Sequence, residues 1–216
     1  MTRRVQLAID ASAGPASVAL FVDGVLIDAR RIDRLGSAEL LAPTVAQIMQ
    51  SAAMSPREIS DVIVGAGPGS FTGLRVAAAL GKGLARGAGA RLHAVASLPL
   101  IAAANDAAPA WTYLCVLDAL RGEWFVQSVT RTVEGSWHVD APFERIASQV
   151  ARDRAAAYGA KLVGPPIDTQ HQPDARAALV IGAHNVPLDT WEPDYGRLAE
   201  AQVVWEATHA RALPDA

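Results

Sequence analysis

The chain has one cysteine, Cys115, and five histidines among its 216 residues. A single thiol excludes a disulfide framework within the chain. Its setting in the apolar run WTYLCVL marks it as a buried strand residue rather than a nucleophile. The histidines, at 93, 138, 171, 184 and 209, form no His-x-x-x-His pair and have no cysteine or aspartate nearby at ligand spacing, so no metal centre is expected. Positive charge is also scarce. With 19 Lys and Arg against 22 Asp and Glu, the formal net charge is −3. That is too little to hold a nucleic-acid backbone unaided, because such binding scales with the phosphates neutralised. Any RNA contact is expected to need a basic partner. No apolar run reaches membrane-spanning length, and MTRRVQLAID lacks the apolar core and cleavage site of a signal peptide, so the expected location is the cytoplasm, with no membrane contact.

What is present is a chain that is 51% hydrophobic and 19% charged, the composition of a protein with a substantial core. VQLAID, ASVALFVDG and VLIDARRI read as three strands, the last two joined by a tight turn at Asp23-Gly24. Ser37 can cap a helix over about 38–51 with Leu41, Val45, Ile48 and Met49 on its apolar face; Pro43 inside it predicts a kink or a late, irregular start. DVIVGAG reads as a buried strand, FTGLRVAAALGKGLARG as the helix after it, and RLHAVAS as a further strand. The order β-β-β-α-β-α-β makes a mixed α/β lobe over residues 1–96. A smaller second α/β lobe is expected over 97–216. It holds strands at 111–118 and 123–131, a short one in GSWHVDAP, a helix over PFERIASQVARDRAAAYG, a strand at 160–164, and a closing amphipathic helix over about 196–212, whose packing back on the first lobe stays open. PDARAALVIGAH fits a helix or a buried strand equally.

The run GAGPGSFTGLRVAAALGKGLARG, at 65–87, carries the most information. Gly81-Lys82 is followed by Gly83, so it is not a Walker A loop. Ser70 stands where a dinucleotide fingerprint needs its third glycine, and Pro68 and Thr72 flank Ser70 where a nucleophile elbow needs glycines. A loop of small residues, with Gly67, Gly69, Ser70, Thr72, Gly73 and Arg75, remains at a helix N-terminus. It can receive an anion, or Ser70 or Thr72 can cap it. The helix is slender, with Ala77, Ala78, Gly81 and Ala85, and each interior glycine costs about 1 kcal/mol relative to alanine. Close packing against another helix, within the fold or on a partner, would offset that. Asp10 and Ser12, at the end of the first strand, form an Asp-x-Ser turn that can face a phosphate or a metal-bound water, or simply bond its own backbone.

IDASAGPASVALFVDG, GAGPGSFTGLRVAAALGKGLA, LDALRGEWF and EPDYGRLAEAQ, in this order, resemble the TsaB (YeaZ) family over nearly the whole chain. The resemblance implies two ribonuclease-H-like lobes of the actin, Hsp70 and sugar-kinase ATPase superfamily. It also implies a non-catalytic partner of the TsaD transferase in threonylcarbamoylation of the adenosine next to the tRNA anticodon. The small ATPase TsaE joins them, tRNA is met only through the complex, and whether the protein forms a homodimer when alone stays open. No cofactor is required, although ATP or ADP at an interface of the complex stays open. Asp10 and Ser12 would then be a vestigial phosphate turn. The partner contact would use the first two helices, through Leu41, Val45, Ile48 and Met49 and through Leu74, Ala77, Ala78, Gly81 and Ala85. Leucine at Ala78 or Gly81 is accordingly expected to abolish TsaD binding and leave the chain folded. Two departures stand out: Leu35-Gly36-Ser37 replaces a His-Ser or Glu-His segment, and Asp118-Ala119-Leu120-Arg121 carries the arginine of an Asp-Ala-Arg turn one place late. An autonomous kinase of the same fold, or a glycoprotease-like peptidase, are the rival readings.

Overall fold

The structure is a computed structural model that describes residues 3–33, 37–104 and 109–196. The expected closing helix and the Leu35-Gly36 pair lie outside these residues. Strands β1 (Val5–Asp10), β2 (Ala16–Val22) and β3 (Val25–Ile32) form the antiparallel meander, turned at Asp23-Gly24 with both residues at positive φ. Strands β4 (Ile59–Gly65) and β5 (Arg91–Val95) add in parallel on the other side of β1. Helices α1 (Leu41–Ser51) and α2 (Phe71–Ala88) cover one face. Because side chains alternate along a strand, Leu7 and Ile9 point into the core under these helices while Ala8 points to the opposite face.

Helix α1 starts late, as Pro43 suggests. A 3-10 turn over Ser37–Leu40 precedes it, and its N-cap is Leu40, which supplies no side-chain bond. Pro43 thus falls in the first turn, where its missing N–H costs no helical bond.

After β5 the chain enters α3 (Ser97–Ala103), every residue of which is buried. Leu98 and Ile101 pack on the second sheet, Leu100 and Ala103 on the first. The second sheet has the order β10-β6-β7-β8 from β6 (Thr112–Asp118), β7 (Glu123–Arg131), β8 (Trp137–Val139) and β10 (Lys161–Val163). The stretch expected to be one helix from Pro142 divides in two. Glu144–Ala147 is strand β9, paired with β7, and only Ser148–Tyr158 is helix α4. Residues 144–147 lie beside an open edge of β7, and ladder hydrogen bonds there outweigh helix propensity. PDARAALVIGAH is a 3-10 turn, a short α5 (Ala178–Ile181) and β11 (His184–Asn185), which pairs with β5 and returns the chain to the first sheet.

Side-chain burial corrects one expectation. Leu41, Val45, Ile48, Met49, Leu74, Ala77, Ala78, Gly81 and Ala85, named above as partner contacts, are all buried in this chain's own core. Gly73, Ala77, Gly81 and Ala85 form the stripe of α2 that meets the sheet, and a Cβ at Gly81 would overlap the Val64 side chain on β4. The slender face thus brings helix and sheet together. Gly83 and Gly87 face open space instead.

At the lower end of β4, Asp61 is fully buried and bonds three side chains: Arg4 Nε at 2.6 Å, Arg91 Nε at 2.9 Å and His93 Nε2 at 2.8 Å. Burial pushes its carboxyl up, but the bonds from Arg4, His93 and Arg91 win and hold it below the usual carboxylate range.

Candidate functional site

A cleft of about 620 Å³ lies between the two sheets, lined by the Ser12–Pro15 turn after β1, by Gly69–Thr72 at the start of α2, and by Leu117, Asp118 and Leu120 of the β6–β7 turn. Two hairpin turns thus face one another across a helix N-terminus.

Asp10 ends β1 behind this cleft, 1% exposed. Its Oδ1 accepts from the Ser12 amide (2.9 Å) and hydroxyl (2.7 Å), and its Oδ2 accepts from the Ser97 hydroxyl at 2.6 Å. Burial pushes the Asp10 carboxyl above its ordinary value; the bonds from Ser97 and Ser12 pull it the other way, and the negative charge of Asp174 adds to the rise. Ser12 lines the cleft, but its hydroxyl is committed to Asp10. The turn therefore bonds itself, the second of the two readings open for an Asp-x-Ser turn.

The glycine loop closes on this turn. The Ser70 amide donates to the Ser12 carbonyl at 2.7 Å. A Cβ at Gly69 would overlap that same carbonyl, and one at Gly73 would overlap the carbonyl of Ala11. Gly67 and Gly69 also have φ of 89° and 153°, a region side chains disfavour. The loop is a backbone-to-backbone seam. Ser70 is the cap of α2, its Oγ accepting from the Gly73 amide at 3.2 Å, while Thr72 is exposed and makes no cap. Arg75 is exposed too, its guanidinium 5.0 Å from the Phe71 ring centroid. In the opposing turn Leu120 and Arg121 both have positive φ, and Asp118 Oδ1 accepts from the Leu120 amide at 2.8 Å. Leu120 reaches the cleft, so a bulky side chain stands where a phosphate would approach the backbone.

Several participants escape sequence reasoning. Ser97 joins Asp10 to the loop, because its hydroxyl also accepts from the Gly67 amide at 3.1 Å. Only the pattern Ser97-Leu98-Pro99, a helix start after a strand, could have flagged it. A strap over residues 187–196 lies along α2. Lys82 pairs with Glu192 at 2.7 Å, Arg86 pairs with Asp189, the Asp194 amide donates to Ala66 O at 2.8 Å, and Tyr195 meets Phe71 with ring centroids 4.6 Å apart. Among the described residues, no three His, Cys, Asp or Glu side chains gather as a metal site, and no helix is long and apolar enough to cross a membrane.

The sequence model of the family described as "TsaD: tRNA N6-adenosine threonylcarbamoyltransferase" matches residues 36–168. Among characterised relatives, the tRNA threonylcarbamoyladenosine biosynthesis protein TsaB of Bacillus subtilis is 33% identical, with 92% of this chain and 96% of that protein covered. The protein of the same name from Escherichia coli is 28% identical over 78% of this chain and 73% of its own length. Among solved structures, YeaZ from Pseudomonas aeruginosa superposes with a TM-score of 0.71 at 22% identity, covering 89% of this chain and 99% of that one.

Proposed function

Because the chain belongs to the TsaB (YeaZ) family and has its two-lobed, actin-like and ribonuclease-H-like fold, we propose that it acts in tRNA threonylcarbamoyladenosine biosynthesis as the non-catalytic binding partner of TsaD. On this reading TsaE joins the pair, tRNA is met through the complex in the cytoplasm, and the chain needs no cofactor of its own.

The observation that carries the partner role is the outer face of α2. An interior glycine costs a helix about 1 kcal/mol. At Gly81 close packing on Val64 accounts for it, but a methyl group at Gly83 or Gly87 would meet nothing within 4 Å. Ala79, Gly83 and Gly87 are exposed, as are Ala42, Pro43 and Ala46 on α1. Small outward side chains let a helix of another protein approach both backbones closely. The contact surface is thus the face opposite to the one the sequence pattern suggested.

Gly83→Leu separates this reading from a role in folding. Leucine is the better helix former, so the isolated chain should be as stable as before or slightly more so. It should lose co-purification with TsaD and lose support of tRNA modification in a reconstituted assay. Undiminished binding by Gly83→Leu would overturn the assignment. The kinase reading requires Asp10 to reach a nucleotide-bound cation, yet both of its carboxyl oxygens are tied inward to Ser12 and Ser97. ATP hydrolysis by the purified chain, abolished in Asp10→Ala, would restore that reading.

A further inference from the structure

Helix α4 covers only part of the outer face of the second sheet. It packs through the small residues Ala151 and Ala155, and Arg152 closes one end with its guanidinium 4.7 Å from the Trp124 ring centroid. At the other end the helix stops at Tyr158, 79% exposed, where a cavity of about 410 Å³ opens beside it. Its lining combines the apolar Leu114 and Val126 with the hydroxyls of Thr112 and Ser128, and with Glu144 of β9 and Arg154 of α4. The volume is that of a small-molecule site. Alternation along β6 turns Leu114 to this face and Cys115 and Leu117 to α3, so the cavity lies across the sheet from the cleft.

The hydroxyl protons in this lining are committed elsewhere. Ser128 Oγ and Thr130 Oγ1 both donate to Asp140 Oδ2, at 2.7 and 3.0 Å. A carboxylate only accepts, so Thr130 has no proton left for Thr112, and Thr112 Oγ1, 3.2 Å away, is the donor of that pair. Thr112 and Ser128 therefore have only lone pairs to offer a guest. The charges act in the same sense. Glu144 and Arg154 cancel one another through two parallel bonds of 2.8 and 3.3 Å, and among the described lining residues no other is charged. Asp140 adds a negative charge behind the two hydroxyls. A guest that fits must donate hydrogen bonds, carry positive charge and have an apolar body to lie on Leu114 and Val126.

We propose that this cavity binds a primary ammonium group on an apolar chain, whose three N–H donors match the acceptors Thr112, Ser128 and Glu144. A free amine and the lysine side chain of another polypeptide share that chemistry. The site shares no lining residue with the cleft and lies in the second lobe, so it stands or falls independently of TsaD binding.

Calorimetric titration of the full chain with hexylamine tests it, with hexanoate, of similar length and opposite charge, as the control. Hexylamine should bind at least tenfold more tightly; equal binding of the two, or none, would overturn the proposal. Asp140→Asn keeps the shape, removes the charge and should weaken hexylamine at least tenfold. Thermal melting establishes that the variant is folded, and Ala141→Phe, which adds bulk at an exposed lining position, should block the site if Asp140→Asn does not fold. Unchanged hexylamine affinity in either folded variant would contradict the assignment. Cadaverine and a blocked glycyl-lysyl-glycine peptide separate the free amine from the lysine side chain. At least one must bind as tightly as hexylamine, and failure of both would overturn the proposal as well.

Discussion

The hydroxyl of Ser97 donates to Asp10 Oδ2 at 2.6 Å while accepting from the Gly67 amide at 3.1 Å. One side chain thereby joins the end of β1, the glycine loop and the start of α3, three segments far apart in sequence.

Asp10 at the centre of this knot predicts a pH effect. Its carboxyl titrates above the ordinary value when folded, so the native state keeps a proton that the unfolded chain has lost. Stability should therefore fall as pH rises from about 4, the unfolded value, through the native one, and stay level beyond it. Asp10→Asn keeps the shape and cannot ionise. Its melting temperature relative to wild type should climb across that interval, measured by thermal denaturation from acid to neutral pH. Parallel curves for the two proteins would contradict the assignment.

How much of this was legible beforehand depends on contrast along the chain. The Asp23-Gly24 hairpin, the strand before the glycine loop and the cap at Ser70 each carry a local signal, and each stands where its signal puts it. Helix α2 is different. Gly73, Ala77, Gly81 and Ala85 face the sheet while Ala79, Gly83 and Gly87 face out, so small residues lie on both sides, and smallness alone does not tell which side meets the chain's own core. Burial of Leu41, Val45, Ile48 and Met49 was readable as an apolar face, but not what would cover it. Helix α3, SLPLIAA, is apolar all round and has no period to read. The Ser97–Asp10 bond spans 87 residues and leaves no trace in either neighbourhood.

Gly81 gives the second prediction. Because a Cβ there already overlaps Val64, Gly81→Leu must push α2 off β4. It should destabilise the isolated chain by about 3 kcal/mol or more, at or beyond the upper end of typical overpacking costs, seen as a lower urea midpoint. This is the opposite of the result expected for Gly83→Leu two residues on. Equal stability of the two variants would mean that the orientation of α2 is wrong.

Asp61 supplies the third. Its carboxyl is held low by Arg4, His93 and Arg91, so it contributes stability that is present above the unfolded value of about 4 and lost as pH falls through the native one. Asp61→Asn should cost about 2 kcal/mol at neutral pH, since charge-assisted bonds are lost from a buried position, two of whose three partners, Arg4 and Arg91, are about half in water. The deficit should shrink in acid, where wild type loses the same charge. Urea titrations at neutral and acid pH measure both; a deficit that does not change with pH would assign the loss to packing.

Helix α3 has a mechanical meaning. A segment wedged between two β-walls and touching each with alternate side chains acts as a dowel, and the gap beside it cannot widen without stripping that dowel from one wall. A hinge that opened and shut around a substrate would have to be looser. In this molecule the joint is glued, which suits the partner role proposed above better than a clamp that opens and shuts.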